Sequence, residues 1–151
     1  MEKIVEIRNE ATLLPAHLSQ LGFTSNFDWT DLFNVGDLII GLTVNNQLVG
    51  LIAFSRNYCD EFNHIDLLEV AKKFQKKGIG SILISAVMLD SFEQGFDGFV
   101  NLTSKTNGVE QFYVKLGAQM LKQNMIFDTQ ASQIVINKNF SGRKIIWNTK
   151  K

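Results

Sequence analysis

The chain has 151 residues, 45% of them hydrophobic, which is enough apolar material for the core of one domain. Its 15 basic and 15 acidic side chains cancel, so no net field draws the protein to nucleic acid or to an anionic membrane. The single cysteine, Cys59, excludes an internal disulfide and fits a reducing compartment. We therefore expect one cytoplasmic domain over residues 1–151, with no signal peptide and no membrane span.

The first predicted elements are a strand, Ile4–Ile7, and a helix that begins near Asn9 or Thr12, both of which are good caps. Pro15 stands early in this helix, where its missing N–H costs least. The aromatic-rich stretch 23–36 is predicted to be irregular or to form a second short helix.

A β-hairpin is predicted next. Strands Leu38–Val44 and Gln47–Arg56 flank Asn45-Asn46, and asparagine tolerates the positive φ that tight hairpin turns require. Residues 57–63 are predicted as a loop, which leads into a strand of branched apolar residues, Ile65–Val70.

The stretch after that strand combines a basic, glycine-containing turn, Gln75–Gly80, with a helix over residues 78–94. The first N–H groups of a helix lack intrahelical partners, and the macrodipole adds about half a positive charge there. Lys72, Lys73, Lys76 and Lys77 surround this helix start. The pattern therefore predicts a site for a phosphate-bearing ligand. Taken alone, the glycine pair also fits an ordinary helix start with a basic surface.

The C-terminal part is predicted to contain a strand, Phe99–Thr103, which the helix joins to Ile65–Val70 in a parallel crossover. A helix, Val109–Leu116, and a strand, Met120–Phe127, follow. The tail has two interpretations. A helix from Thr129 with a last strand at Lys144–Trp147 is favoured, because Asp128-Thr129 is a good cap; a strand at Gln133–Asn137 is the alternative. This order of elements predicts an α+β protein, with helices packed on a mixed sheet.

The run Leu68–Val70 followed by Gln75–Gly80 resembles motif A of the GNAT superfamily of N-acetyltransferases, Q/R-x-x-G-x-G/A. Asn107 and the segment Phe112–Gly117 resemble motif B, which has an aromatic pair on a helix and a glycine four residues after the tyrosine. The two motifs occur in the expected order, so the resemblance is specific; it extends from about Val35 to Phe127. Asn107 departs from the commonest spacing by one residue.

The resemblance implies a GNAT-like fold with a mixed, mostly antiparallel twisted sheet of about six or seven strands, flanked by helices and splayed between strands 4 and 5. It also implies acetyl-coenzyme A as the acyl donor, with the pyrophosphate on the backbone N–H groups of Gln75–Ser81. The pantetheine arm would lie along strand 4, and an N–H near Val70 would polarise the thioester carbonyl. The residues expected to bind acetyl-CoA are Leu68, Val70, Gln75, Lys76, Lys77, Gly78, Ile79, Gly80, Ser81, Asn107 and Phe112.

Acyl transfer to an amine requires an acid for the leaving thiolate and a base for the incoming ammonium. Tyr113 matches the family's general acid, although a core aromatic residue would give the same pattern. His64 and Asp66 are candidate bases, and Glu69 is a rival base or a recognition group for the amine. Regular strand alternation places His64 and Asp66 on the same face as Leu68, with Glu69 on the other face. A water chain without any single base is the alternative.

These observations predict an N-acetyltransferase that transfers the acetyl group of acetyl-CoA to a primary amine by direct transfer in a ternary complex. The alternative is an acyl-CoA-binding or regulatory module of the same fold without turnover. No His, Cys and carboxylate spacing suggests a metal site. A homodimer is compatible with the sequence, and neither a nucleic acid nor a membrane is expected as a partner.

Overall fold

The structure is a computed structural model that describes residues 1–23, 27–103 and 110–148. Within these residues one sheet contains the strands β1 (Glu2–Glu6), β2 (Leu38–Val44), β3 (Gln47–Asn57), β4 (Phe62–Val70), β5 (Val100–Thr103), β6 (Gln119–Leu121), β7 (Asn124–Phe127) and β8 (Ile145–Ile146). The α-helices are α1 (Pro15–Gln20), α2 (Trp29–Asn34), α3 (Ile79–Glu93), α4 (Glu110–Lys115) and α5 (Thr129–Asn139).

The strand order is β6-β7-β5-β4-β3-β2-β1-β8. Strands β4 and β5 are parallel, as are β1 and β8, and the other neighbours are antiparallel. The predicted mixed, mostly antiparallel sheet and its parallel crossover are therefore confirmed. The described residues contain eight strands instead of six or seven. Residues 120–127 form a hairpin and not one strand, because Lys122 turns the chain with a φ of +60°.

The N-terminal helix was predicted in one piece but forms two. Asn9 caps a 3-10 turn, Glu10–Leu13, by accepting a hydrogen bond from the Ala11 N–H. Leu14 is then extended, with a ψ of 138°, because the proline ring after it disfavours helical backbone. Pro15 starts α1 at the position predicted for it.

The hairpin of β2 and β3 has the predicted bounds at its turn, where Asn45 and Asn46 have φ values of +51° and +69°. Strands β3 and β4 both extend into the predicted loop 57–63 and shorten it. In the tail, the helix interpretation is confirmed. Asp128 caps α5 by accepting a hydrogen bond from the Ala131 N–H at 2.9 Å.

Two apolar clusters cover opposite faces of the sheet. On one face, α3 and α5 pack on residues such as Val49, Ile52 and Phe54 of β3. On the other face, α1 and α2 pack on the alternate residues of the same strand, Leu51 and Ala53. We call these the α3 face and the α2 face. From Leu51 to Phe54 the residues of β3 alternate between the two clusters, as expected for a strand buried on both sides. The phase changes before Leu51, where the register between β2 and β3 shifts by one residue.

A buried ion pair fastens α3 to the sheet. Arg56 of β3 donates two hydrogen bonds to the carboxylate of Asp90, at 2.9 and 2.7 Å. The Asp90 side chain is only 1% exposed. Asn63 of β4 joins the pair, because its amide donates to Asp90 and to the Val87 carbonyl. This cluster holds two strands and the long helix in one arrangement.

Candidate active site

The loop between β4 and α3 ends in a helix start that no side chain of the described residues caps. Gly78, just before α3, has a φ of +85°, a left-handed conformation that glycine adopts without strain. The first N–H groups of α3 are therefore available to an anion. Lys76 and Lys77 are exposed beside them and add positive charge.

A cleft of about 670 Å³ lies between this helix start, β4 and α4. We call it the donor cleft. It is lined by Leu68, Val70, Phe74, Gln75, Lys76, Gly78, Ile79, Gly80, Ser81, Phe112 and Tyr113. The structure thus brings together nine of the eleven residues predicted to bind acetyl-CoA, and Tyr113 with them. Lys77 is not part of the lining, and Asn107 lies outside the described residues.

Strands β4 and β5 separate beside the donor cleft. They pair only at Asn63–Ile65 with Val100–Leu102. Among the described residues, the part of β4 from Asp66 to Val70 has no strand partner on this side. The predicted splay is confirmed, and it opens an edge of β4 along which an amide-bearing chain could lie.

Tyr113 lies on α4 and is 7% exposed, at the inner wall of the donor cleft. Its ring packs edge-on against Phe112, with centroids 5.1 Å apart. Burial raises the pKa of Tyr113 to about 12. The phenol therefore keeps its proton at neutral pH, which is the state a general acid needs.

The predicted alternation of β4 side chains is wrong, because β4 contains a bulge. Its register with β3 shifts at Asp66, where Leu67 pairs with Ala53 but Ile65 pairs with Phe54. One extra residue inverts the alternation on one side of the bulge. Ile65 consequently shares the α3 face with Leu68. His64 lies on the α2 face with Glu69 and not on the face of Leu68.

The bulge places His64 and Asp66 together. His64 Nε2 lies 3.5 Å from Asp66 Oδ1, and His64 Nδ1 lies 2.5 Å from Asn101 Oδ1 on β5. With an amide oxygen as its neighbour, Nδ1 is assigned the proton, and Nε2 is the ring nitrogen nearest to the Asp66 carboxylate. Burial raises the pKa of Asp37, just before β2, and the carboxyl group of Asp66 is close enough to raise it further.

Glu69 has a different environment from His64. Its carboxylate accepts a hydrogen bond of 3.0 Å from the indole N–H of Trp29, which is 1% exposed on α2. This contact ties β4 to the helix that covers the α2 face. The geometry favours an orienting role for Glu69 more than a role as a freely moving base.

Residues 1–118 match the family model described as Acetyltransferase (GNAT) family. The chain belongs to the GNAT acetyltransferase family. This membership supports acetyl transfer as the general activity and marks the chain as an acyltransferase. No curated relative matches this GNAT protein.

Solved structures share the fold of this GNAT protein. The ribosomal-protein-S18-alanine N-acetyltransferase from Escherichia coli is 15% identical with a TM-score of 0.66, over 83% of this chain and 91% of that chain. A GNAT acetyltransferase from Elizabethkingia anophelis with acetyl-CoA bound is 20% identical with a TM-score of 0.61, over 83% and 94%. The KacTA–DNA complex matches at 14% identity and a TM-score of 0.67, over 91% and 99%. At such identities the likeness shows the fold alone.

Two glycines shape the donor cleft of this GNAT chain in different ways. A Cβ at Gly80 would lie 3.4 Å from the Phe112 ring and 3.7 Å from Leu68, so a larger side chain there would project into the cleft. At Gly78 a Cβ would meet nothing within 4 Å. Gly78 is thus required for its backbone conformation, and Gly80 for open space.

Sequence reasoning missed several residues of the GNAT site. Asp37, Asn101, Phe74 and Trp29 each contact a predicted site residue or line the cleft. Phe74 could have been found, because it stands directly before the glycine turn. The other three reach the site only through strand pairing or helix packing, and no local pattern marks them.

Two further findings are limited to the described parts of the chain. Within residues 1–23, 27–103 and 110–148, no three His, Cys, Asp or Glu side chains are grouped so that they could hold a metal ion. In the same ranges, no helix has both the length and the apolar character needed to cross a membrane.

Proposed function

We propose that this GNAT acetyltransferase transfers an acetyl group from acetyl-CoA to a primary amine by direct attack in a ternary complex. The observation that carries the proposal is the donor cleft, where an uncapped helix start and a protonated tyrosine lie beside the part of β4 that separates from β5. We also propose that residues 1–151 act as one domain, without a metal, in the cytoplasm.

The donor side follows from the cleft. The pyrophosphate would be held by the backbone N–H groups at the start of α3, with Lys76 adding charge. The pantetheine amides would hydrogen-bond to β4 where it separates from β5. A backbone N–H near Val70 would donate to the thioester oxygen, and one such donor contributes about 3–4 kcal/mol to the transition state.

The acceptor side lies across the sheet. Leu68 and Val70 direct the donor cleft to the α3 face, whereas His64 and Asp66 lie on the α2 face. An amine arriving from the α2 face would meet the thioester at the gap between β4 and β5. The carboxyl groups on that face favour an acceptor that arrives as a cationic ammonium.

The reaction then balances as follows. The ammonium loses one proton to a base on the α2 face, and the neutral nitrogen forms a bond to the thioester carbon. The carbon–sulfur bond breaks, and the thiolate takes a proton from Tyr113. The second proton of the amine nitrogen passes through solvent to the Tyr113 phenolate, which restores the acid, and the base releases the first proton to solvent.

Calorimetry with acetyl-CoA, followed by a transfer assay across a panel of primary amines, tests the proposal. We expect binding and formation of free coenzyme A only when an amine is present. A dissociation constant of about 1 mM corresponds to a binding free energy of only about 4 kcal/mol. Absence of binding at that acetyl-CoA concentration would exclude acetyl-CoA as the donor. Tight binding without transfer to any amine would instead support the acyl-CoA-binding module.

Changing Gly80 to leucine is expected to weaken acetyl-CoA binding at least about tenfold, because the side chain would occupy the space between α3 and Phe112. The thermal midpoint should not fall, since leucine is a better helix former than glycine by about 0.8 kcal/mol. Calorimetry and thermal unfolding measure the two effects separately.

Glu93→Leu is the matched control, because Glu93 is exposed at the far end of the same helix. It should leave the acetyl-CoA affinity unchanged. Equal affinity of the Gly80→Leu variant and the parent would show that the donor does not pass over Gly80.

A further inference from the structure

A row of polar side chains crosses the α2 face of the sheet near the gap. Asn101 of β5 contacts His64, His64 contacts Asp66 at the bulge, and Asp66 meets Asp37 just before β2. The row is built by strand pairing, because Leu38 is opposite Phe54 and Ser55 is opposite His64. Asp37 and His64 therefore lie on either side of the same point of β3.

The surroundings of Asp37 are unfavourable for a carboxylate. Its Oδ2 atom is shielded from solvent, and no donor of the described residues hydrogen-bonds to it. A carboxylate oxygen without a donor or water is strongly disfavoured, whereas a protonated carboxyl group becomes a donor itself. Burial, then the hydrogen bond and the charge of Asp66, raise the pKa of Asp37 to about 8.

We propose that Asp37 is a positioning residue of the acceptor site, which shares one proton with Asp66 and so directs the Asp66 carboxylate towards His64. The inference rests on the proposed function, since the acceptor site is part of it. Asp37 acts through Asp66 and does not touch the substrate. The shared proton also limits the pair to one negative charge.

This arrangement gives each group one task in the removal of the amine proton. The ammonium N–H bond breaks, and the proton moves to His64 Nε2. The imidazolium that forms is stabilised by the Asp66 carboxylate 3.5 Å away. The proton shared by Asp37 and Asp66 stays in place throughout, and the proton on His64 later leaves to solvent. Two neighbouring titratable groups have partners of their own: Arg56 pairs with Asp90 on the α3 face, and Glu69, which shares the α2 face, accepts the hydrogen bond of Trp29.

The first test measures the shared proton without any catalysis. The pKa of Asp37 in the folded protein is about 8, above its ordinary value of 3.8, so folding takes up a proton between pH 3.8 and about pH 8. The free energy of unfolding therefore falls as the pH rises through this range. Asp37→Asn keeps a donor to Asp66 but cannot ionise. We expect its thermal midpoint, relative to the parent, to rise steadily between about pH 5 and pH 8. A difference that does not change with pH would overturn the shared proton.

The second test uses the amine found in the transfer assay. Asp37→Asn should keep kcat/KM at neutral pH within about threefold, whereas Asp37→Ala should lower it about tenfold or more with an unchanged acetyl-CoA affinity. The ratio of Asp37→Asn to parent activity should increase above about pH 8, where the parent loses the shared proton.

The outcomes separate the two proposals. The positioning role alone is overturned if the parent transfers acetyl groups robustly, the ratio of Asp37→Asn to parent activity does not change with pH, and Asp37→Asn and Asp37→Ala have the same kcat/KM. Absence of transfer to every amine overturns the proposed function and the positioning role with it, while the pH dependence of the thermal midpoint still reports on the shared proton.

Discussion

Replacing Tyr113 by phenylalanine is expected to lower kcat about 100-fold or more while the acetyl-CoA affinity stays within about twofold. The change removes only the hydroxyl group, so the ring and its edge-on contact with Phe112 remain. The leaving thiolate would then have to take its proton from water. Steady-state kinetics and calorimetry on the same preparation measure the two quantities.

Tyr58→Phe is the matched control, because Tyr58 is the only other tyrosine and is 61% exposed, outside the donor cleft. It should change neither quantity. Since burial raises the pKa of Tyr113 to about 12, the parent should show no loss of activity from ionisation of this phenol between about pH 7 and pH 10. Unaltered turnover in Tyr113→Phe would remove this residue from the mechanism.

Arg56→Met is expected to cost about 3–5 kcal/mol of the free energy of unfolding, because it leaves the Asp90 carboxylate buried without its cation. For a chain of this size, such a loss lowers the thermal midpoint by roughly 10 °C. Asn63 still donates to Asp90 but provides no charge. Chemical denaturation gives the free energy, and a thermal scan gives the midpoint.

Two variants show whether Arg56→Met loses stability through the unpaired charge of Asp90 or through lost packing. The double variant Arg56→Met/Asp90→Leu should recover most of the lost stability, because an apolar pair replaces both charges. Arg143→Met removes the cation of a more exposed pair with Glu2 and should cost less than about 1 kcal/mol. A double variant as unstable as Arg56→Met would show that the packing of the arginine stem matters more than the charge.

The donor side was predictable because its determinants are local. The glycine turn, the end of β4 and the helix that carries Tyr113 are each contained in a short run of sequence. Their chemistry depends on backbone N–H groups and on one phenol, which neighbouring residues position. The structure accordingly gathers nearly all of the predicted lining residues in one cleft.

The acceptor side was less predictable because its contacts are long-range. Asp37 meets Asp66 and Asn101 meets His64 only after β2, β3, β4 and β5 have paired. The bulge at Asp66 is equally hidden, since no glycine or proline marks it. Lys122 shows the same limit at the hairpin of β6 and β7, where a lysine adopts a turn conformation that its residue type does not favour.

The bulge at Asp66 also makes the length of β4 a stricter constraint than its composition. The residues before and after Asp66 are out of phase by one position, so the strand serves both faces of the sheet at once. Deleting a single residue between His64 and Leu67 would restore the regular phase and turn one end of the strand over. An exchange of one aliphatic residue for another in the same stretch leaves the phase intact. Natural variation in β4 should therefore be rich in substitutions and poor in insertions or deletions.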